Sequence, residues 1–270
     1  MKIQSKNFNI RQIAESGQCF RLNRLEENRY SLIACGRYLE LVQTGEEEVE
    51  LDCGEEEYEG LWKDYFDLDY DYQHIVTELT EGTDFFLRSA AEYGRGIRIL
   101  RQDFFEMLIT FIISQNKNIP SIKSTVEAIS RKYGTLIVTG TGQSHYAFPS
   151  PEQLARAARE ELRELKTGYR DEYILRAAQA VAGGELDPCS IRESSYQEAF
   201  QKLLGLHGVG EKVANCICLY GLHHIEVFPV DVWIKRILKE VYQGSFDPGL
   251  YDGYAGIVQQ YMFYYMRNRK

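Results

Sequence analysis

Leu203-Leu-Gly-Leu-His-Gly-Val-Gly-Glu-Lys-Val-Ala-Asn-Cys-Ile-Cys218 is the stretch from which the fold is read. One helix runs into Gly205, the chain turns through Gly208-Val-Gly210, and a second helix starts at once. Glycine permits so tight a turn and lets another backbone come close. Backbone N–H groups presented at a helix N-terminus suit a phosphate. Gly-x-Gly between helices also serves plain hairpin packing, so the turn alone leaves both readings open. Lys212 adds weight to the first. It stands in the first turn of the second helix, where a cation opposes the macrodipole. That field, together with burial, favours the neutral amine, which is the nucleophilic form. Cys216 follows four residues later on the same face, where a small buried hydrophobe is its plain reading.

Downstream stands Val227-Phe-Pro-Val-Asp-Val-Trp-Ile-Lys-Arg236. Asp231 precedes an apolar-periodic helix and reads as its N-cap. A capping carboxylate can also face a cleft, where it handles protons or stabilises a developing cation.

Upstream of the hairpin, Asp103-Phe-Phe-Glu-Met-Leu-Ile-Thr-Phe-Ile-Ile-Ser-Gln115 is apolar nearly all round and predicts a buried central helix. Asn116-Lys-Asn-Ile-Pro120 breaks it, and Pro120 opens a helix over Ser121–Tyr133. A capping box at Ser150-Pro-Glu-Gln153 predicts a helix over Leu154–Leu165. Further helices fit Asp171–Ala182, Tyr196–Leu204, Gly210–Leu222, Asp231–Val241 and Tyr254–Arg267. The first third reads differently. Arg29–Ala34, Arg37–Gln43 and Val49–Asp52 are short, partly alternating runs separated by Cys35-Gly36 and Thr44-Gly45, which predicts an antiparallel meander. The expected fold is therefore α+β and mostly α. An antiparallel β-rich domain over residues 1–90 packs on a helical domain over residues 91–270, with the helix-hairpin-helix at about 196–222.

The chain has 270 residues, 44% of them hydrophobic and 26% charged, which is globular composition. It has no apolar run of the roughly 18 residues a membrane helix needs. The N-terminus lacks the apolar core of a secretory signal, so the expected location is the cytoplasm, or the nucleoid in a bacterium. Six scattered cysteines form no CxxC pair and predict free thiols rather than a zinc or iron–sulfur centre. The net charge of −9 is uneven: Thr44–Asp71 holds 13 acids against Lys63 alone, a local −12, which leaves the remainder at +3. That acidic segment reads as a solvated face, so net charge does not argue against a DNA partner.

The motifs then meet a family. The Gly-x-Gly hairpin, Lys212 and Pro229-Val-Asp231 resemble the helix-hairpin-helix DNA glycosylase superfamily. Ser16-Gly-Gln-Cys-Phe-Arg21, Gly96-Ile-Arg-Ile-Leu-Arg-Gln-Asp103, Ser114-Gln-Asn-Lys-Asn-Ile119, Gly168-Tyr-Arg170, Pro229-Val-Asp-Val232 and Tyr254-Ala-Gly-Ile-Val-Gln-Gln-Tyr-Met-Phe263 resemble its eukaryotic-type 8-oxoguanine branch, in order along the whole chain. The resemblance implies excision of 8-oxoguanine flipped from duplex DNA. Lys212 would attack C1′ and form a Schiff base, with abasic-site lyase activity, and Asp231 would stabilise sugar charge and assist proton transfer. The Gly17 carbonyl would accept the N7–H that guanine lacks. Cys216 and Phe263 would sandwich the base and Gln259 would read its Watson–Crick edge. Asn116, Tyr169 and Arg170 would fill the vacated stack, wedge the duplex and contact the partner cytosine. The amides of Gly208 and Gly210 would hold a phosphate. The carbonyls of Leu204, Leu206 and Val209 would hold a monovalent cation, and no other cofactor is implied. The partner that the resemblance implies is double-stranded DNA containing 8-oxoguanine, with no membrane, and a monomer is the expected state.

Two residues depart from the pattern. Ser121 stands where the animal and fungal type has an arginine, which predicts weaker discrimination of the opposite base, and Trp233 stands where a histidine is frequent. Excision of another damaged purine, a non-catalytic DNA-binding module, and a protein-interaction module using the acidic segment are the competing readings. Gly17, Gln259 and Phe263 favour the oxidised purine over the first, Lys212 with Asp231 disfavours the second, and only the charge run supports the third.

Overall fold

Alternation in the first fifty residues produces the sheet. The computed structural model describes residues 1–269. Strands β1 (Lys2–Gln4), β2 (Leu22–Glu26), β3 (Arg29–Ala34), β4 (Arg37–Gln43) and β5 (Glu48–Leu51) form a five-stranded sheet in the order β1-β5-β4-β3-β2. β1 pairs antiparallel with β5 and sets Ile3 opposite Val49; β4 does the same and sets Leu41 opposite Leu51. These four side chains are buried, while Lys2 bridges the exposed Glu48 and Glu50 at 3.5 and 3.1 Å. The meander is thus extended at both edges by β1 and β2, whose short runs carry too little alternation to announce themselves. The first third also holds helices that its sequence did not suggest: a helical stretch over residues 55–65, and the helices α1 (Ile10–Glu15), α2 (Tyr72–Glu81) and α3 (Phe85–Gly94). The starts of α1, α2 and α3 are capped by Asn9, Asp71 and Asp84.

Composition changes near residue 90, whereas the compact units interleave. One comprises Met1–Ser31, Glu40–Arg101 and the chain from His223 onward; the other comprises Leu32–Leu39 and Gln102–Leu222. The second unit is helical around α4 (Phe104–Ser114), in which every residue from Phe104 to Ile113 is buried. Then come α5 (Ile119–Tyr133), the hairpin β6 (Leu136–Val138) and β7 (Ser144–Tyr146), α6 (Asp171–Ala182), α7 (Tyr196–Leu204) and α8 (Glu211–Gly221). α8 lies close against α4, since a Cβ on Gly221 would stand 3.0 Å from the Cβ of Met107. The helix expected over Leu154–Leu165 is interrupted. Ser150 and Gln153 do form a capping box, but the helix ends at Leu154 and restarts at Arg159, where the Glu161 carboxylate caps the Ala158 N–H at 3.5 Å. A wide turn over Arg163–Thr167 follows, with Leu165 and Lys166 non-helical. Good helix formers yield there to tertiary demands: the fully buried Asp171 takes Arg163 at 2.7 Å and Arg159 at 3.6 Å.

In the first unit the chain resumes as α9 (Val232–Glu240) and α10 (Ala255–Asn268). α10 packs on α3, where a Cβ on Gly94 would meet the Tyr261 ring at 3.3 Å and the Tyr264 ring at 3.6 Å. The acidic segment is not wholly solvated. Asp67 is buried, and it gathers Tyr72 (2.9 Å), Arg101 (2.9 Å) and His223 (3.3 Å). Among the described residues no helix is long and apolar enough to cross a membrane, and all six cysteines are free thiols.

Candidate active site

The candidate residues divide between the two units. Hairpin, Lys212, Cys216, Asn116, Tyr169 and Arg170 belong to the second; Gly17, Asp231, Gln259 and Phe263 belong to the first.

The hairpin turn closes through Leu206 N–H to the Leu203 carbonyl and Val209 N–H to the Leu206 carbonyl, both at 3.1 Å. The two glycines serve different ends. Gly208 has φ +85°, and a Cβ on it would lie 2.3 Å from the Tyr173 ring. Gly210 has φ −98° and ψ 175°, open to any residue, and a Cβ there would meet nothing within 4 Å. The fold needs glycine at the first position and not at the second. Gly210 is the N-cap of α8 and offers no side-chain cap, so the first-turn N–H groups stay available to an anion. The carbonyls of Leu204, Leu206 and Val209 lie at the C-terminal end of α7 and in the turn. Each oxygen has two lone pairs and a helix C-terminus is negative, so this neutral donor set suits a hard cation of low charge. Among the described residues no cluster of His, Cys, Asp or Glu could hold a metal.

Lys212 is exposed, with its ammonium 5.6 Å from the centre of the Phe111 ring. The burial expected to favour the free amine is therefore absent in the uncomplexed protein. Cys216 is buried on the same helix, and Phe111 stacks on Tyr220 at 5.4 Å.

Two loops of this unit come together. Asn116, at φ +52°, donates from Nδ2 to the Tyr169 hydroxyl at 3.3 Å. The Arg170 guanidinium lies 4.3 Å from the Tyr169 ring centre, donates to the Thr167 carbonyl at 3.1 Å and also bonds the Gln115 carbonyl. Tyr169 is half exposed, whereas Arg170 is buried and braces the loops. Gln115 then joins the loops to the hairpin, donating to the Gly208 carbonyl at 3.0 Å. Gln115 was not singled out in the sequence, where it reads as a helix end.

In the first unit Asp231 caps α9 as expected: its Oδ1 accepts from Trp233 N at 3.0 Å and Ile234 N at 2.8 Å. Trp233 itself is half-buried. The Gly17 turn, at φ +80°, is held between buried neighbours. Gln18 donates to the Arg98 carbonyl at 2.8 Å and accepts from Leu100 N at 2.8 Å. The Ser16 carbonyl accepts from Gln260 Nε2 at 2.7 Å, which fastens the turn to α10. One helical turn carries Gln259 and Phe263. Phe263 is half-buried with Arg267 5.9 Å from its ring centre. Gln259 is buried, and its Oε1 has no hydrogen-bond partner. Gln18 and Gln260, the staples of this turn, are legible only in hindsight, as glutamines flanking the named positions.

A family model described as the 8-oxoguanine DNA glycosylase N-terminal domain matches residues 1–108, and one described as the HhH-GPD superfamily base excision DNA repair protein matches residues 109–248. The N-glycosylase/DNA lyase of Saccharomyces cerevisiae is 33% identical over 239 residues, 82% of this chain and 61% of that protein. This chain thus spans less than two thirds of that relative's length. The probable N-glycosylase/DNA lyase of Methanothermobacter thermautotrophicus is 33% identical over 75% of this chain and 72% of its own. A solved structure of the Clostridium acetobutylicum 8-oxoguanine glycosylase/lyase, in complex with dsDNA containing cytosine opposite to 8-oxoG, superposes with a TM-score of 0.90 at 34% identity, covering 99% of this chain and 97% of that one.

Proposed function

The chain belongs to the HhH-GPD superfamily of base excision DNA repair proteins, and from that premise we propose that it excises 8-oxoguanine from duplex DNA and cleaves the resulting abasic site. The observation that carries the substrate assignment is the buried, unpartnered Oε1 of Gln259. A buried acceptor without a donor costs roughly 1–3 kcal/mol. The guanine-type Watson–Crick edge brings N1–H and N2–H donors that would relieve it, whereas adenine offers an acceptor at N1. The Gly17 carbonyl, on the turn stapled to the same helix, is the acceptor for the N7–H that 8-oxoguanine has and guanine lacks. The Phe263 ring offers the base a stacking face.

Lys212 supplies the nucleophile. Its Nζ forms a bond to C1′ as the N-glycosidic bond breaks and the base departs with the electron pair. Loss of a proton from nitrogen and ring opening give the imine, which makes the C2′ proton acidic enough for β-elimination of the 3′-phosphate. The exposed amine is desolvated when the lesion's sugar closes over it. The Asp231 carboxylate, rigid on its cap, stabilises the positive charge that grows on the sugar. The hairpin amides grip a backbone phosphate, and a monovalent cation on the Leu204, Leu206 and Val209 carbonyls would stiffen the turn. The enzyme acts as a monomer on double-stranded DNA. Borohydride trapping tests the whole reading. An 8-oxoguanine duplex should give a covalent protein–DNA adduct, the undamaged duplex none, and Lys212→Gln none; equal trapping on both duplexes would overturn it.

A further inference from the structure

Lys117 lies between the two DNA-reading loops and was passed over in the sequence, where Asn-Lys-Asn reads as an ordinary polar turn. Its ammonium donates to the Thr125 hydroxyl on α5 at 2.9 Å and to the Lys166 carbonyl at 2.5 Å. Thr125 is buried and donates in turn to the Ser121 carbonyl at 3.0 Å, so one end of the bridge is anchored in α5 beneath the position that lacks the arginine. The other end holds a residue in the left-handed region: Lys166 has φ +62° and ψ +28°, in the wide turn just before Tyr169 and Arg170. Arg170 makes the reciprocal bridge, from its own loop back to the Gln115 carbonyl. Two cations therefore cross-link the loops in opposite directions, each onto neutral oxygens.

Such an arrangement is electrostatically costly. Burial, then the nearby Arg170 and Lys166 charges, pull the Lys117 ammonium below the usual lysine range. Among the described residues none of these three cations forms an ion pair with a carboxylate, so the energy is spent on geometry. A neutral amide in place of Lys117 would be too short to span both oxygens. Two backbones at positive φ, Asn116 and Lys166, are held where the wedge and the stack-filling side chain must stand.

We propose that Lys117 is a positioning residue for recognition of the base opposite the lesion: its ammonium locks the Asn116 turn to the loop bearing Tyr169 and Arg170, so that the three side chains meet the duplex as one rigid group. This deepens, and rests on, the 8-oxoguanine reading. It also supplies a structural counterpart to Ser121: in place of one arginine that reads the opposite base directly, the chain stiffens the neighbours that remain.

Lys117→Met and Lys117→Arg test it, with two readouts. In backbone amide exchange of the free protein, Lys117→Met should raise exchange about 10-fold in residues 115–118 and 166–170 together, and not elsewhere. In single-turnover excision, Lys117→Met should slow removal opposite cytosine about 10-fold at saturating enzyme and flatten the differences among the four opposite bases, with duplex affinity within about 3-fold. Lys117→Arg, long enough to reach both oxygens, should restore most of both. Unchanged exchange in either loop overturns the brace. A uniform loss of affinity for all duplexes with intact saturated rates also overturns it, because Lys117 would then be only a phosphate contact. A wild type that removes no 8-oxoguanine overturns the functional reading, and the exchange data distinguish that failure from failure of the brace.

Discussion

Alanine placed at the two hairpin glycines should separate what the turn needs for folding from what it needs for DNA. At Gly208 the φ of +85° costs a non-glycine residue about 1–2 kcal/mol. The new Cβ would also sit 2.3 Å from the Tyr173 ring. That ring cannot slide freely, being edge-on to His207 at 4.9 Å and to Tyr169 at 5.8 Å. Overpacking of this kind costs about 1–3 kcal/mol, so Gly208→Ala should lose about 2–5 kcal/mol in all. At roughly 2–4 °C per kcal/mol, the melting temperature should fall by about 4–20 °C. At Gly210 neither cost exists. The weaker N-cap of alanine is offset by the unfolded chain's lost freedom, and the net change should stay within about 0.5 kcal/mol. The methyl group would instead project into the open space before the α8 amides, where a phosphate must approach. Loss of one charge-assisted hydrogen bond, about 1.5–3 kcal/mol, is roughly 10- to 100-fold in affinity. Thermal melting and fluorescence anisotropy with a labelled duplex, run on both variants, decide it. If Gly210→Ala binds DNA like wild type, or melts as early as Gly208→Ala, the assignment of the second glycine to an external backbone is wrong.

Lys212→Gln should melt within about 1 °C of wild type, because the side chain is exposed, yet give no borohydride adduct; surviving adduct would move the nucleophile elsewhere. Asp231→Asn keeps the Oδ1 that accepts both α9 amides. Stability should fall by no more than about 1 kcal/mol from the lost charge at the helix start, while lesion DNA still binds and single-turnover excision slows at least about 100-fold; a near-normal rate would remove Asp231 from the chemistry. Burial acts to raise the Asp67 pKa, but His223, Arg101 and Tyr72 outweigh it and hold the carboxyl below the ordinary aspartate range. Its contribution should be fully present above about pH 4 and be lost as pH falls through the lower folded value. Urea midpoints between pH 7 and pH 3 should therefore drop more steeply for wild type than for Asp67→Asn, which starts about 2–4 kcal/mol lower; parallel pH profiles would refute the linkage.

How much was legible in the sequence follows from how local each signal is. The hairpin, the capping box at Ser150, the central helix and the Asp231 cap depend on neighbours a few residues apart, and they stand where the pattern put them. The interrupted helix after Leu154 was not legible, because its break answers to Asp171 and two arginines, a packing demand that propensity does not carry. Neither was the burial of Asp67, since a charge run gives no sign of which member turns inward. Lys117 was missed for the same reason: its partners, Thr125 and Lys166, lie 8 and 49 residues away. Fold came from periodicity, whereas the supports of the site came from long-range hydrogen bonds.

Gln259 and Gln260 show where sequence reading stops and geometry takes over. They are adjacent, chemically identical and both buried. On a helix they diverge by about 100°, and nothing in the sequence says which one is structural. Gln260 spends its amide on the Ser16 carbonyl at 2.7 Å, a bond across 244 residues that closes the Gly17 turn onto α10. Gln259 leaves its oxygen without a donor. Folding alone would favour an apolar residue there, so an unpaired acceptor kept in the interior points to a ligand that completes it. Replacing Gln259 with leucine should therefore hold or raise stability while erasing the preference for a guanine-type base. The same change at Gln260 should loosen the Gly17 turn and lower the melting temperature. Excision rates and melting curves that moved together in both variants would mean that the two glutamines share one structural role, and the substrate argument built on Gln259 would fall.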